Sequence, residues 1–123
     1  MEHTVLVVDD SRTIVKFVSF SLKNRGFNVL TASDGMDAIE KISTHATPVD
    51  LIITDLNMPN VDGYELISTL RKNSKYQEIP IIILSSEEDE EDKQKGIDAG
   101  ASSYLVKPFK STVLLREISK YLE

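Results

Sequence analysis

Five residues with reactive side chains stand at the ends of apolar runs. Asp9 and Asp10 follow Thr4-Val5-Leu6-Val7-Val8, and Asp55 closes Leu51-Ile52-Ile53-Thr54. Ser85 follows Pro80-Ile81-Ile82-Ile83-Leu84, and Lys107 follows Ser103-Tyr104-Leu105-Val106. Short apolar runs bounded by turn residues suit strands buried on both faces, as in a parallel sheet. In such sheets ligands gather at the carboxyl ends of the strands. Three carboxylates in one crevice repel each other and resist ionising together. A divalent cation relieves that repulsion, and hard oxygen ligands without His or Cys favour Mg²⁺, with Mn²⁺ as the alternative. A hydroxyl and an ammonium facing the same carboxylate complete a cradle for a tetrahedral oxyanion. Those are the parts phosphoryl transfer requires, with Asp55 as the nucleophile.

Each residue also has a bland reading. Asp9 and Asp10 taken singly are helix caps, Ser85 a turn residue and Lys107 a surface lysine. The weight lies in the set, so the elements must bring the set together. Thr4–Val8 reads as the first strand. Ile14, Val15, Val18 and Leu22 then recur at helical spacing behind a Ser11 cap, with Gly26 as the C′ residue. Phe27–Thr31 reads as a second strand. Ser33 or Asp34 caps a helix facing inward through Ala38, Ile39 and Ile42. The third strand ends at Asp55, and Asp62 with Glu65 resembles a capping box for a helix lined by Leu66, Ile67 and Leu70. Pro80–Leu84 is the fourth strand. Acidic residues early and lysines later predict a fourth helix over 88–99, stopped by Gly100. Ser103–Val106 is the fifth strand, and Val113, Leu114, Ile118 and Leu122 stripe the last helix. Five strands alternating with five helices imply an α/β, doubly wound parallel sheet with right-handed crossovers.

The totals narrow the function. The chain of 123 residues suits one domain, 1–123, with a single core. A net charge of −6 makes a nucleic-acid backbone a poor partner. The absence of cysteine excludes disulfides and thiolate metal sites. No apolar run reaches the length of a membrane span, and no signal-peptide pattern opens the chain, so a cytoplasmic protein without a membrane partner is expected. His3 and His45 have no partners by spacing and are expected at the surface.

Taken in order, four motifs resemble the receiver domain of two-component response regulators. They are Asp9-Asp10, Asp55-Leu56-Asn57-Met58-Pro59-Asn60-Val61-Asp62-Gly63, Ser85-Ser86, and Gly100-Ala101-Ser102-Ser103-Tyr104-Leu105-Val106-Lys107-Pro108-Phe109. The resemblance spans the whole chain and is closest in kind to stand-alone, CheY-like receivers with no output domain. It implies a flavodoxin-like fold with strand order 2-1-3-4-5, and a cis Lys107–Pro108 bond. It implies that Asp55 is the phosphoacceptor, served by a sensor histidine kinase or a phosphotransfer protein. Asp10, Asp55 and the backbone carbonyl of Asn57 would bind Mg²⁺, with Asp9 assisting mostly through water. Lys107 would pair with Asp55 and then with the phosphoryl group. Ser85 would grip a phosphoryl oxygen, and the ring of Tyr104 would turn inward behind it. Asn57 and Glu87 occupy the positions that tune self-dephosphorylation, and the small Ser86 leaves the donor room. The resemblance further implies a downstream protein target, read on the fourth helix, fifth strand and fifth helix. Lys93, Gln94 and Lys95 are expected to make that helix strongly polar.

Two rival readings share parts of this pattern. A haloacid-dehalogenase-type phosphohydrolase needs an Asp-x-Asp pair at the first strand, whereas adjacent Asp9 and Asp10 point in different directions. A flavodoxin needs a phosphate loop after the first strand, where Asp9 and Asp10 would repel the phosphate.

Overall fold

Ten elements alternate along the chain in a computed structural model of the protein, which describes residues 3–58, 60–85 and 90–122, with Ser85 and Glu90 as backbone alone. They are β1 (Thr4–Val8), α1 (Arg12–Lys23), β2 (Asn28–Ala32), α2 (Gly35–Thr44), β3 (Leu51–Asp55), α3 (Gly63–Arg71), β4 (Ile81–Ser85), α4 (Glu90–Ala99), β5 (Ser103–Val106) and α5 (Ser111–Ser119). The strands form one parallel sheet in the order β2-β1-β3-β4-β5. Both the doubly wound class and the strand order are as expected.

Strand side chains alternate between the two faces, so each apolar run feeds two core layers. Leu6, Val8, Ile52, Ile81 and Ile83 pack under Ala38 and Ile42 of α2 and Leu66, Ile67 and Leu70 of α3. Val5, Val7, Leu51, Ile53, Ile82, Leu84 and Leu105 pack under Val18 and Leu22 of α1 and Leu114 and Ile118 of α5. Burying each such aliphatic side chain contributes about 1.5–3 kcal/mol. That double burial is why the strands read as unbroken apolar runs.

Among the described residues, three helices begin at side-chain caps. Ser11 Oγ accepts from the Ile14 amide at 3.4 Å, Asp34 Oδ1 from Asp37 at 2.8 Å and Asp62 Oδ1 from Glu65 at 2.9 Å. Each satisfies a backbone N–H that the first helical turn leaves free. The Lys107–Pro108 bond is cis.

Several sequence expectations shift. β2 starts at Asn28, because α1 is closed by Asn24 and Gly26 lies two residues beyond that cap, at φ 87°. β4 runs from Ile81 through Ser85. Val113 is 38% exposed, so it lies off the buried stripe of α5. His3 is half-buried, with Nδ1 3.7 Å from Asp50 Oδ2 and its ring against Phe27, contacts that chain spacing does not reveal. Lys93 is buried rather than part of a wholly polar surface, whereas Gln94 and Lys95 are exposed. The described part of the fourth helix begins at Glu90, and the expected start at Glu88 lies outside the described residues. Among the described residues no helix is long and apolar enough to cross a membrane.

Candidate functional site

The ladder register brings the strand ends into one cleft. Val8 lies opposite Thr54, which sets Asp9 level with Asp55. Asp55 lies opposite Leu84, so Ser85 stands one residue beyond it. Ser85 lies opposite Val106, which puts Lys107 one residue further along the same edge.

Asp9, Asp10 and Asp55 each place a carboxylate oxygen within 4.8 Å of the others. They differ in surroundings. The Asp9 side chain is fully buried and doubly held: Oδ1 accepts from the Ser11 amide at 2.8 Å, and Oδ2 from Lys107 Nζ at 3.1 Å. Asp10 is exposed. Asp55 is nearly buried at 13% side-chain exposure, with Lys107 Nζ 3.6 Å from Oδ1. That same oxygen accepts from the Leu56 amide at 2.8 Å. Among the described residues no donor reaches Asp55 Oδ2. Lys107 was expected to pair with Asp55; it faces both acids and stands nearer Asp9.

Burial pushes the Asp55 carboxyl above its usual range, and the negative charge of Asp9 pushes it further. Lys107 and the Leu56 amide pull the other way, and Asp10 adds to the rise. The cleft thus holds more negative charge than its own donors neutralise. A hard oxygen donor set and a carboxylate strained by like charge both fit a divalent ion such as Mg²⁺.

Gly63 makes the turn after Asp55 possible. A Cβ there would overlap the Asp55 carbonyl oxygen and Leu56 Cα, and its amide donates to the Leu56 carbonyl at 2.9 Å. The start of α3 therefore rests directly on the end of β3. Between them Asn60 adopts φ 64°, a left-handed conformation Asn tolerates. Its Nδ2 donates to Asp34 Oδ2 at 2.8 Å, and the Gly35 amide donates to the Val61 carbonyl at 2.9 Å, so the loop carrying Asn57 is tied to the start of α2. Asp34 and Asp62, read as caps from the sequence, are caps here; the further bond from Asn60 to Asp34 was not foreseen.

Asn57 is exposed, two residues past Asp55. The backbone of Ser85 is in place at the end of β4; its hydroxyl, Ser86 and Glu87 lie outside the described residues. Tyr104 does not join the cleft. The residue is 38% exposed, and Lys93 Nζ sits 4.8 Å from the ring centroid. α1 exposes Phe17 and Phe20, and Phe17, which shares a hollow with Lys107, meets Phe109 at 5.9 Å between centroids.

Residues 5–119 match the response regulator receiver domain. This chain belongs to the receiver family. The receiver is 40% identical to the protein PilG of Pseudomonas aeruginosa over 118 residues, 96% of this chain and 86% of that one. It spans 47% and 44% of two longer regulators that it also matches, at 40% and 38% identity. The chemotaxis response regulator CheY4 of Vibrio cholerae superposes with a TM-score of 0.92 at 39% identity, over 99% of this chain and all of that one. The receiver domain of the sensor histidine kinase PA1611 of Pseudomonas aeruginosa superposes with a TM-score of 0.88 at 27% identity, over 98% of each chain. That domain is described with a magnesium ion coordinated in its active site cleft. Receivers bind Mg²⁺ at an acidic pocket and act with histidine kinases, phosphotransfer proteins and downstream targets in two-component signalling.

Proposed function

We propose that this receiver is a phosphorylation switch in which Asp55 accepts a phosphoryl group from the phosphohistidine of a sensor kinase or phosphotransfer protein. The observation that carries the reading is the convergence of Asp9, Asp10, Asp55 and Lys107 on one rim. Asp55 Oδ2, the carboxylate oxygen left open, attacks phosphorus. The P–N bond to the donor imidazole breaks, and its electron pair stays on the ring nitrogen, which takes up a proton. Lys107 neutralises charge on the phosphoryl oxygens, and Ser85 donates to one of them. Asp10, Asp55 and the Asn57 carbonyl would hold Mg²⁺ (or Mn²⁺), with Asp9 in support. When bound, that ion offsets the negative charge that gathers as the phosphoryl group meets the carboxylates.

Reversal is hydrolytic: water attacks phosphorus, the bond to Asp55 Oδ2 breaks, and inorganic phosphate leaves. Asn57 and Glu87, the second residues along the chain after Asp55 and Ser85, are the positions that set the lifetime. The signal passes to Tyr104 and is read by a protein target on α4, β5 and α5, in the cytoplasm, in a chemotaxis pathway or a related relay.

The test is acetyl phosphate with Mg²⁺ followed by intact-protein mass spectrometry. One phosphoryl increment is expected on wild type and none on Asp55→Asn. An Asp55→Asn protein that still takes the label with the same kinetics refutes the assignment.

A further inference from the structure

Lys93 is 8% exposed, an unusual position for a lysine, and its ammonium lies 4.8 Å from the centre of the Tyr104 ring. The fold brings the two together. Tyr104 pairs with Ile83 across the β4–β5 ladder. Gly96 lets α4 settle onto Ile83, where a Cβ would overlap Cδ1 of that side chain. Lys93 precedes Gly96 by one turn on the same helix face, so it reaches the sheet beside Ile83, over the neighbouring strand. One residue on from Gly96, Ile97 continues the packed side.

We infer that Lys93 is a positioning residue that latches Tyr104 in its outward orientation and thereby sets how far the unphosphorylated receiver already populates the switched state. The inference rests on the reading of Tyr104 as the switch ring. An apolar side chain at this place would pack equally well against many neighbours once the ring left. An ammonium does not: it is held at the sheet partly by the π-face above it, and a ring that turns away withdraws one of its partners from a desolvated charge. The contact therefore favours the outward ring and opposes the inward one. Lys95 makes the matching contact on the other side of α4, 4.4 Å from the Tyr64 ring centre, so the helix is clasped between a ring on β5 and a ring on α3.

A ligand that prefers the inward state binds more tightly when that state is more populated, by the same factor. Lys93→Met keeps the length and packing of the side chain and removes the charge. Titration with beryllofluoride and Mg²⁺, followed by the NMR signals of the Tyr104 ring, reads both the affinity and the orientation. The expected result is about five- to tenfold tighter binding in Lys93→Met, with ring signals of the free protein moved toward the bound position. Lys93→Arg, whose guanidinium also stacks on aromatic faces, should stay near wild type. In a Tyr104→Leu background, Lys93→Met should have no further effect on affinity. Unchanged affinity and unmoved ring signals in Lys93→Met, while wild-type Tyr104 still responds to beryllofluoride, overturn the latch and leave the switch standing. A wild-type Tyr104 ring that does not respond at all removes the reading beneath it. Equal tightening by Lys93→Met in the Tyr104→Leu background also overturns the latch, because the effect would then bypass the ring.

Discussion

Lys107 is the sharpest point at which to perturb the cleft. Its ammonium stands 3.1 Å from Asp9 and 3.6 Å from Asp55 and is itself only 16% exposed. Lys107→Met keeps the aliphatic stem and removes the cation. Two carboxylates, one fully buried and one nearly so, then face each other. Removing one partner of a buried ion pair destabilises by about 3–5 kcal/mol. The lower figure applies here, because Asp9 keeps the Ser11 amide and Asp55 the Leu56 amide. Unfolding entropy of about 2.1 cal/mol/K per residue converts about 3 kcal/mol into a Tm loss of about 12 °C for a chain of this length.

The pH dependence separates this cause from simple loss of packing. The Asp55 carboxyl lies above its ordinary value of 3.8, so the folded state binds its proton more tightly than the unfolded state does. Stability is therefore greatest in acid and falls as pH climbs from that ordinary value through the raised one. Loss of Lys107 removes one of the influences that hold the carboxyl down, which extends the window upward. The gap between wild type and Lys107→Met should accordingly be widest near neutral pH and narrow as acid protonates Asp55. Thermal melts in EDTA from about pH 8 down to about pH 4 measure it. Lys107→Arg, which keeps the charge, should recover most of the loss. A gap under about 3 °C near neutrality, or one that does not narrow in acid, would show that the cation does not hold these carboxylates together.

Other perturbations act on the same balance. Asp55→Asn removes a charge the fold holds unfavourably, so in EDTA above the Asp55 window its Tm should exceed that of wild type; a lower Tm by calorimetry would contradict the raised carboxyl. Mg²⁺ at about ten times its dissociation constant should stabilise wild type by about 1.4 kcal/mol, or about 5 °C, and EDTA should reverse the gain. Asp10→Asn should need more Mg²⁺ for the same rise, and an unchanged titration midpoint would count against Asp10 as a ligand. Gly63→Ala forces a methyl group against the Asp55 carbonyl and Leu56, so a loss of about 1–3 kcal/mol in urea unfolding is expected together with slower labelling by acetyl phosphate. Normal stability and labelling would mean that the start of α3 does not seat Asp55.

The sheet and the acidic rim were legible because backbone geometry alone determines them. Val5–Val8, Leu51–Thr54 and Ile81–Leu84 are buried on both faces, so composition reveals the strands without any need for periodicity. A residue that ends such a run must lie at the carboxyl edge, which is why Asp9 and Asp55 converge, and Lys107 joins them from the same end of the less buried β5. Features set by side chains meeting across the fold left no such trace. His3 and Asp50 meet at 3.7 Å because β1 and the approach to β3 begin side by side, not because of their spacing. Val113 matches a helical stripe yet lies at its exposed margin, since the stripe of a nine-residue helix is narrower than its pattern suggests. Asn60 carried a weak signal, as Asn after Pro59 suits a left-handed turn, but its bond to Asp34 depends on where α2 lands.

Lys93 is the most instructive residue to have been misread, because charge in a helix ordinarily means solvent. Over Glu90–Ala99 the larger apolar residue is Ile97, with Ala99 beside it, so α4 has little with which to build an apolar stripe. It is seated instead by the close approach of Gly96 to Ile83 and by two lysines on two rings. A cation over a ring contributes about 0.5–2 kcal/mol, less than the burial of one leucine at about 1.5–3 kcal/mol. The helices α1, α3 and α5 are each anchored by at least two fully or almost fully buried aliphatic side chains. Hydrogen bonds to a charged group, such as those a phosphoryl group would accept from Lys107 and Ser85, contribute about 1.5–3 kcal/mol each. Two such bonds, about 3–6 kcal/mol together, exceed the about 1–4 kcal/mol that two cation–ring contacts give α4, whereas the three buried aliphatic side chains of α3 alone contribute about 4.5–9 kcal/mol. The same shortage of apolar residues that hid the docking of α4 from a reading of the sequence leaves it more weakly anchored than α1, α3 or α5, so on the proposed reading α4 is the helix that phosphorylation of Asp55 would move before those three.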